Sequence, residues 1–524
     1  MSGARALAPT APRVPGALRS LALTTIVIAF LATGCRDETA PDSAPPTRVH
    51  VQPEGGDVAP AQSGERSAAL PTWTLPPGLE RSPRPSGAGA IGAIPTLGAD
   101  TGALAGGSGS SGIPAPTVRP TVELAGSAPA LTDLDVLALM AEVDQRRLAD
   151  DVRHLAAMDD RSAVAGSGGE DGVADTPQWL FDRFDKLDAR QDRQVQVELE
   201  DFDARIDDRR ATIRNVIATA PGIGLDKRIV YVTAHYDVRP ASADGEQAAS
   251  GADDDASGTA ALLELARVMS ERRWDATIRF VAFGASESGL AGSQHHAPLA
   301  RRIGLPIEAV LDADTIGGST MGEAGDGQLR LRAYSDAGPE GESRQLARYA
   351  QVIAERYMAA DLDVVDAADP VWDRGDHTSF SEAGFPALRL SAAGDDAGHL
   401  DGPGDTADRI DAGYLADATR LILAVVANLA LAPPAPTSAP TLAASPDVPG
   451  SLLVTWDAGA SPGAGGYWVA VRSGGSQTYD RLEWAGPGPS YTVVGLTPGD
   501  RVSVSIAAAD DMGHLSRFSP EATR

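Results

Sequence analysis

The sequence predicts an α/β protein with a mostly parallel sheet flanked by helices, preceded by a disordered N-terminal tether and followed by a small all-β sandwich. Three observations carry this prediction. Short, wholly apolar runs alternate with amphipathic helical stretches through the middle of the chain. Before them lies a long segment of Pro, Ala, Gly and Ser without periodicity. After a Pro-rich break, short strands with two-residue alternation are separated by Gly and Pro. A chain of 524 residues is long enough for several such modules.

In the middle region, "LTDLDVLALMAEVDQRRLADDVRHLAAM" has helical apolar spacing, with Thr132 and Asp133 as candidate caps. "RIVYVTAHYD" is an apolar run of strand length that carries His235 at its end. "SGTAALLELARVMSERR" is an amphipathic helix with Leu262, Leu265, Ala266 and Met269 on one face. "TIRFVAFG", "IEAVLDADTIGG" and "FPALRLS" read as further buried strands. "RYAQVIAERYM" reads as a helix, and "LADATRLILAVVANLAL" as the closing helix.

The N-terminal residues differ in kind. Arg5, Arg13 and Arg19 precede the apolar run "LALTTIVIAFLATG", and small residues then lead to Cys35, the only cysteine. This is a secretory signal, and the placement of Cys35 resembles a bacterial lipoprotein signal in which the cysteine is lipidated. Arg36 follows it rather than Asp, which by analogy favours the outer membrane of a Gram-negative cell. The expected organisation is a signal over 1–35, a disordered linker over 36–130, the α/β domain over 131–432, a Pro-rich linker over 433–443 and the sandwich over 444–524. The net charge of −28 excludes a nucleic-acid partner, which requires a basic surface.

The chemistry is concentrated at the predicted strand ends. His235 and Asp237 form an H-x-D pair, and alternate residues of a strand share a face. "GADDDASG", residues 251–258, places three consecutive aspartates between glycines ahead of a helix. That run suits a helix N-terminus, and equally a bound cation. Glu287 and Asp314 follow two other strands, and His399 lies in a Gly- and Asp-rich loop. Ligands of open α/β sheets gather at the carboxyl ends of strands, and two imidazoles with several carboxylates suit a pair of zinc ions.

The order H-x-D, "GADDDASG", "FGASESGLAGS", "AVLDADTIGG", "GDHTSFSEAGFPALRL" and a late His before "DTADRID" resembles the co-catalytic zinc aminopeptidases. These are the bacterial leucyl aminopeptidase-like family, related to glutamate carboxypeptidase and the glutaminyl cyclases, and the likeness runs over about 131–432. It implies a zinc-exopeptidase fold and hydrolysis of N-terminal residues of peptides by metal-activated water. It assigns His235 and Asp314 to one zinc, Glu287 and His399 to the other, and Asp254 as the bridge. Asp237 would orient His235, and Asp376 and His377 would shape the site.

One position departs from the family. Its strand normally ends in two adjacent glutamates, the first a general base and the second a ligand. Here the first position is Ser286 and the second Glu287. A missing general base costs about 10²–10⁴-fold. Asp253, Asp255 and Glu323 are candidates to replace it from neighbouring loops. The expected function is therefore a surface-tethered zinc metallo-aminopeptidase with an altered base, acting on peptides and held to the membrane through Cys35. The alternative is a zinc-binding pseudo-peptidase that acts as a binding protein. Glutaminyl cyclisation fits the motifs less well. The C-terminal strands "SLLVTW", "YWVAVRSG", "YTVVGL" and "RVSVSIAAAD" resemble a fibronectin type III module, with Val502 in place of the usual tyrosine. No ligand for it is legible.

Overall fold

The computed structural model describes residues 128–130, 132–158, 161, 175–188, 195–206, 209–239, 250–318, 329–335, 341–358, 360–365, 375–393 and 402–524. Cys35, Glu323 and His399 lie outside the described residues, as do the expected signal and nearly all of the expected tether.

The chain opens with helices α1 (Leu134–Ala141), α2 (Gln145–Ala156) and α3 (Asp175–Asp188). The N-cap aspartates Asp133 and Asp144 start the first two by accepting main-chain N–H groups of the first turn. Strands β1 (Gln196–Ile206) and β2 (Arg209–Ala220) then form a long antiparallel hairpin. There follow β3 (Ile229–His235), α4 (Ala256–Met269), β4 (Thr277–Phe283), α5 (Ala291–Arg302) and β5 (Ile307–Ala313). Then come β6 (Arg330–Tyr334), α6 (Glu342–Met358), β7 (Asp361–Val364), α7 (His377–Glu382), β8 (Ala387–Ala392) and α8 (Ala412–Leu431).

The eight strands make one sheet in the order β1-β2-β4-β3-β5-β8-β6-β7. Its centre, β4-β3-β5-β8, is parallel, as the unbroken apolar runs of these strands predict. β2 joins β4 antiparallel, and β6 joins β8 antiparallel, so the sheet is mixed at its flanks. The β1–β2 hairpin is not legible as strand in the sequence. β1, "QVELEDFDARI", is only half-buried and carries charge along most of its length, so no apolar run marks it. The order around β3 sets the site. From β3 the chain crosses to β4 on one side, then returns past β3 to β5 on the other. That reversal opens a crevice at the carboxyl ends of the strands. α4 and α8 lie in the core, and α8 is apolar on nearly every face because it is buried.

The C-terminal strands form two antiparallel sheets. β9 (Thr441–Ala444), β10 (Leu452–Thr455) and β13 (Ser490–Val493) make one, in the order β13-β10-β9. β11 (Gly466–Ser473), β12 (Arg481–Gly486), β14 (Val502–Ala509) and β15 (Ala522–Thr523) make the other, in the order β12-β11-β14-β15. Alternation along β11 and β14 serves two cores at once. Tyr467, Val469, Val471, Val504 and Ile506 point between the two sheets. Trp468, Ala470, Ala507 and Ala509 point the other way, into the core of the α/β region. Burial on both faces explains why no polar residue interrupts the small side chains of "SIAAA" after Ser505.

Polar contacts reinforce that junction. Tyr349 on α6 donates its hydroxyl to the Leu515 carbonyl at 2.9 Å, and Tyr479 donates to Gln345 Oε1 at 2.7 Å. The carboxylate of Glu521 lies between Arg348 and Arg472, at 3.3 and 2.6 Å. His514 sits between Asp133, the α1 cap, and Asp510, at 2.7 Å from each.

Candidate metal centre

Four neighbouring segments build the site at the carboxyl ends of β3, β4 and β5. His235 is the last residue of β3. Its Nδ1 lies 3.1 Å from the Asp237 carbonyl oxygen, and its Nε2 lies 3.2 Å from Asp254 Oδ1. With its proton on Nδ1, the ring donates to this carbonyl, and the lone pair of Nε2 is then available to a metal. Donor atoms of His235, Asp254 and Asp314 lie within 4.8 Å of one another, and all three residues are buried.

The three consecutive aspartates divide their work. Asp253 accepts the Gly317 N–H through Oδ1 at 2.7 Å. Asp255 caps α4 by accepting the Gly258 N–H and also accepts the N–H groups of His235 and Thr315. Asp254 alone aims at the imidazole. Neither Asp253 nor Asp255 is thereby placed as a spare base, because their carboxylates hold main-chain N–H groups. Gly258 allows this arrangement, since a Cβ there would collide with the Ala313 carbonyl.

Asp237 orients its surroundings differently from the sequence expectation. Its carboxylate is 3.7 Å from His235 Nδ1, beyond hydrogen-bond reach, and it is the main-chain carbonyl that meets the ring. The carboxylate instead accepts the N–H groups of Ser286 at 2.8 Å and Glu287 at 3.1 Å. It fixes the turn after β4. Ala285, just ahead of that turn, and Thr315, just after Asp314, both have φ near 60°, at 60° and 59°. Such backbone is rare for residues with a Cβ and costs of order 1–3 kcal/mol, so its clustering here marks a constrained site.

Glu287 is beside this group, and its Oε2 accepts two hydrogen bonds from Arg239, at 3.0 and 3.2 Å. It is not among the three residues whose donor atoms converge. Ser286 is buried and donates its hydroxyl to Asp376 Oδ2 at 2.5 Å. His377, next to Asp376, gives its N–H to Asp312, whose other oxygen accepts the Thr233 hydroxyl.

Two organising residues escape the sequence reading. Asp405 accepts the N–H groups of Asp253 and Asp254, one on each oxygen, and its carbonyl accepts the Ser250 hydroxyl. It lies in the "DTADRID" stretch, so its position is marked although its role is not. Arg161 is wholly buried and donates to the carbonyls of Tyr236, Ser250 and Gly251. No motif surrounds it.

The electrostatics are those of a place short of positive charge. Burial opposes protonation of His235, yet the hydrogen bond to Asp254 and the charges of Asp255, Asp254 and Asp314 hold its pKa well above the usual value. Burial pushes Asp255 up against the pull of His235, and Asp314 and Asp254 add to the rise. Burial, then the charge of Asp254, raises Glu287 to about 7. Carboxylates crowded around one imidazole in a buried crevice supply the nitrogen and oxygen donors that zinc takes. The residues present fit a divalent cation.

Comparison with known proteins gives the same direction. The model of peptidase family M28 matches residues 215–426. A protein of Pyricularia oryzae named "Probable zinc metalloprotease" is 31% identical over 340 residues, which is 58% of this chain and 68% of that protein. A protein of the same name from Pyrenophora teres f. teres is 28% identical over 299 residues, covering 51% of this chain and 62% of its own length. Among solved structures, the Legionella pneumophila LapA aminopeptidase is 22% identical, with a TM-score of 0.46 over 56% of this chain and 74% of that one. The match at 31% identity over two thirds of a relative, with the family model spanning all three converging residues, establishes that the chain belongs to peptidase family M28.

Proposed function

We propose that this protein is a zinc metallo-aminopeptidase that hydrolyses N-terminal residues of peptides. The observation that carries the reading is the convergence of His235, Asp254 and Asp314 at the carboxyl ends of the parallel strands. In this reading His235, Asp254 and Asp314 would hold one zinc, and Asp254 with Glu287 and His399 would hold a second. The chemistry supplied by bound zinc is Lewis acidity, which polarises a carbonyl and brings the pKa of water to roughly 7. The chain's own residues do the rest. The Asp237 carbonyl keeps the proton on Nδ1 of His235. The Asp237 carboxylate holds Ser286 and Glu287 in register with the imidazole. Asp405 fixes the main chain that carries Asp254.

Arg239 covers Glu287, and its side chain is about half exposed, with a relative accessibility of 55%. Cys35 anchors the protein to the cell envelope by its lipid, and the C-terminal sheets serve as a fibronectin-like module.

A second reading is favoured by Ser286 alone: a zinc-binding pseudo-peptidase that retains the crevice as a binding site. One assay separates them. The zinc-loaded full chain is offered a panel of aminoacyl amides beside Ser286→Glu and Glu287→Ala. Turnover by the parent that Glu287→Ala abolishes supports the peptidase. A parent that binds zinc without turnover, while Ser286→Glu turns over strongly, supports the pseudo-peptidase. Failure to bind zinc removes both.

A further inference from the structure

We propose that Ser286 and Asp376 act together as the proton acceptor of the site, with Asp376 receiving through the Ser286 hydroxyl the proton that the family's glutamate takes directly. The inference rests on the peptidase reading above and names the group that compensates for Ser286.

The geometry is specific. Ser286 directly precedes Glu287, and both N–H groups are pinned by one carboxylate, that of Asp237. The Ser286 hydroxyl donates to Asp376 Oδ2 at 2.5 Å. A hydroxyl donating to a carboxylate at that distance is a charge-assisted hydrogen bond, the strong kind. Asp376 is 1% exposed, and its other oxygen, Oδ1, is buried without a hydrogen-bond partner. A buried carboxylate oxygen with no donor costs on the order of 1–3 kcal/mol or more. The Ser293 hydroxyl is the other donor beside this carboxylate, so Asp376 is held by hydroxyls, whereas Asp237, Asp255 and Asp405 have both oxygens held by main-chain N–H groups.

The surroundings also suit proton uptake. Burial and the neighbouring charge of Asp312, against the pull of His235, raise Asp376 to about 7. A base with that affinity is matched to neutral pH. The hydroxyls of Ser293 and Ser379, hydrogen-bonded to each other at 2.9 Å, belong to the same buried polar cluster. The candidates nearest in sequence are occupied: Asp253 and Asp255 hold main-chain N–H groups.

The step balances. As the water oxygen bonds to the scissile carbonyl carbon, the water proton passes to Ser286 Oγ, and the Ser286 proton passes to Asp376 Oδ2. The carbonyl π pair moves onto its oxygen. When that pair returns, the C–N bond breaks, and the proton on Asp376 travels back through Ser286 to the departing amine nitrogen. The serine is unchanged at the end, and no other reactant is needed.

The test uses the zinc-loaded full chain and five variants: Asp376→Asn, Ser286→Ala, the two combined, and Ser286→Glu with and without Asp376→Asn. Zinc affinity is titrated calorimetrically on the metal-free proteins alongside kcat and KM. Asp376→Asn and Ser286→Ala should each lower kcat by about 10²-fold with little change in KM. The combined variant should lose no more than the worse single one, because the two groups act as a unit. With Glu at 286 the loss caused by Asp376→Asn should shrink to a few-fold, and zinc affinity should stay at the parent value throughout. A parental kcat in Asp376→Asn, an equal loss in both backgrounds, or a parallel loss of zinc affinity would overturn the dyad while leaving the peptidase reading in place. A parent that binds zinc without any turnover overturns both.

Discussion

Two buried polar regions of this molecule have opposite charge arithmetic. At the metal centre, one imidazole, His235, faces Asp254, Asp255 and Asp314. At the junction with the C-terminal sheets, one carboxylate, Glu521, faces two guanidiniums, Arg348 and Arg472. The junction supplies its own counter-charges and closes over them with Tyr349, Tyr479 and Phe518. The metal centre is less fully paired: Arg389 lies 3.5 Å from Asp314 and Arg239 meets Glu287, but burial, with the neighbouring carboxylates adding to it, still raises Asp255 and Glu287. Buried charges tolerate burial only when paired. Where the charges balance the cluster is architecture, and where carboxylates outnumber their partners around one imidazole the donor set suits a cation.

The largest effect should come from removing His235, the one imidazole in the converging group among the described residues. His235→Ala, or exhaustive chelation, should lower hydrolysis of an aminoacyl amide by about 10³-fold or more, the worth of roughly 4 kcal/mol of barrier. Circular dichroism should be unchanged, because the cluster contributes ligation and not packing. Zinc should restore the chelated protein and leave the variant inactive. A variant that keeps its zinc and its rate would break the contrast.

At the junction the expected loss is of stability. Glu521→Ala strands two buried guanidiniums, which typically costs about 3–5 kcal/mol. Urea unfolding should show the midpoint falling while the folded fraction keeps its specific activity. Because the C-terminal sheets share the α/β core, the fall should appear in one transition. A separate early transition for the C-terminal sheets would show that the shared core does not couple them.

Asp405→Asn tests the support beneath Asp254. It replaces one of two oxygens that accept the N–H groups of 253 and 254. Zinc affinity should fall by about 10–100-fold, the usual worth of a group that orients a ligand. Thermal stability should move much less than in Glu521→Ala.

The smallest effect is a pH dependence at the junction. Burial opposes protonation of His514, but its hydrogen bonds to Asp510 and Asp133 raise its pKa above the ordinary 6.5. Its stabilisation is therefore complete below the unfolded value and is lost as pH rises through the higher folded value. Tm should decline by a small amount over that alkaline interval. His514→Gln should flatten the decline, and an unchanged slope in the variant would remove His514 as its source.

Much of this was legible in the sequence. Apolar runs of strand length fixed the parallel centre of the sheet, because strands buried on both faces carry no polar alternation. The order of motifs placed His235, Glu287 and Asp314 at strand ends and Asp254 just ahead of a helix, and His235, Asp254 and Asp314 converge. Alternation along "YWVAVRSG" marked a strand but not that its second face enters another core.

What the tertiary structure alone decided is how chemically equal groups are used. Three adjacent aspartates, indistinguishable in sequence, become a loop clamp, a candidate bridge and a helix cap. Asp237 turns its carbonyl to His235 and its carboxylate to the next strand's turn. Ser286 meets Asp376 across a separation of 90 residues. The physical reason is common to all three. Periodicity reports burial, which is local and repeated, whereas a hydrogen bond depends on the direction of one donor and one acceptor brought together by the path of the chain.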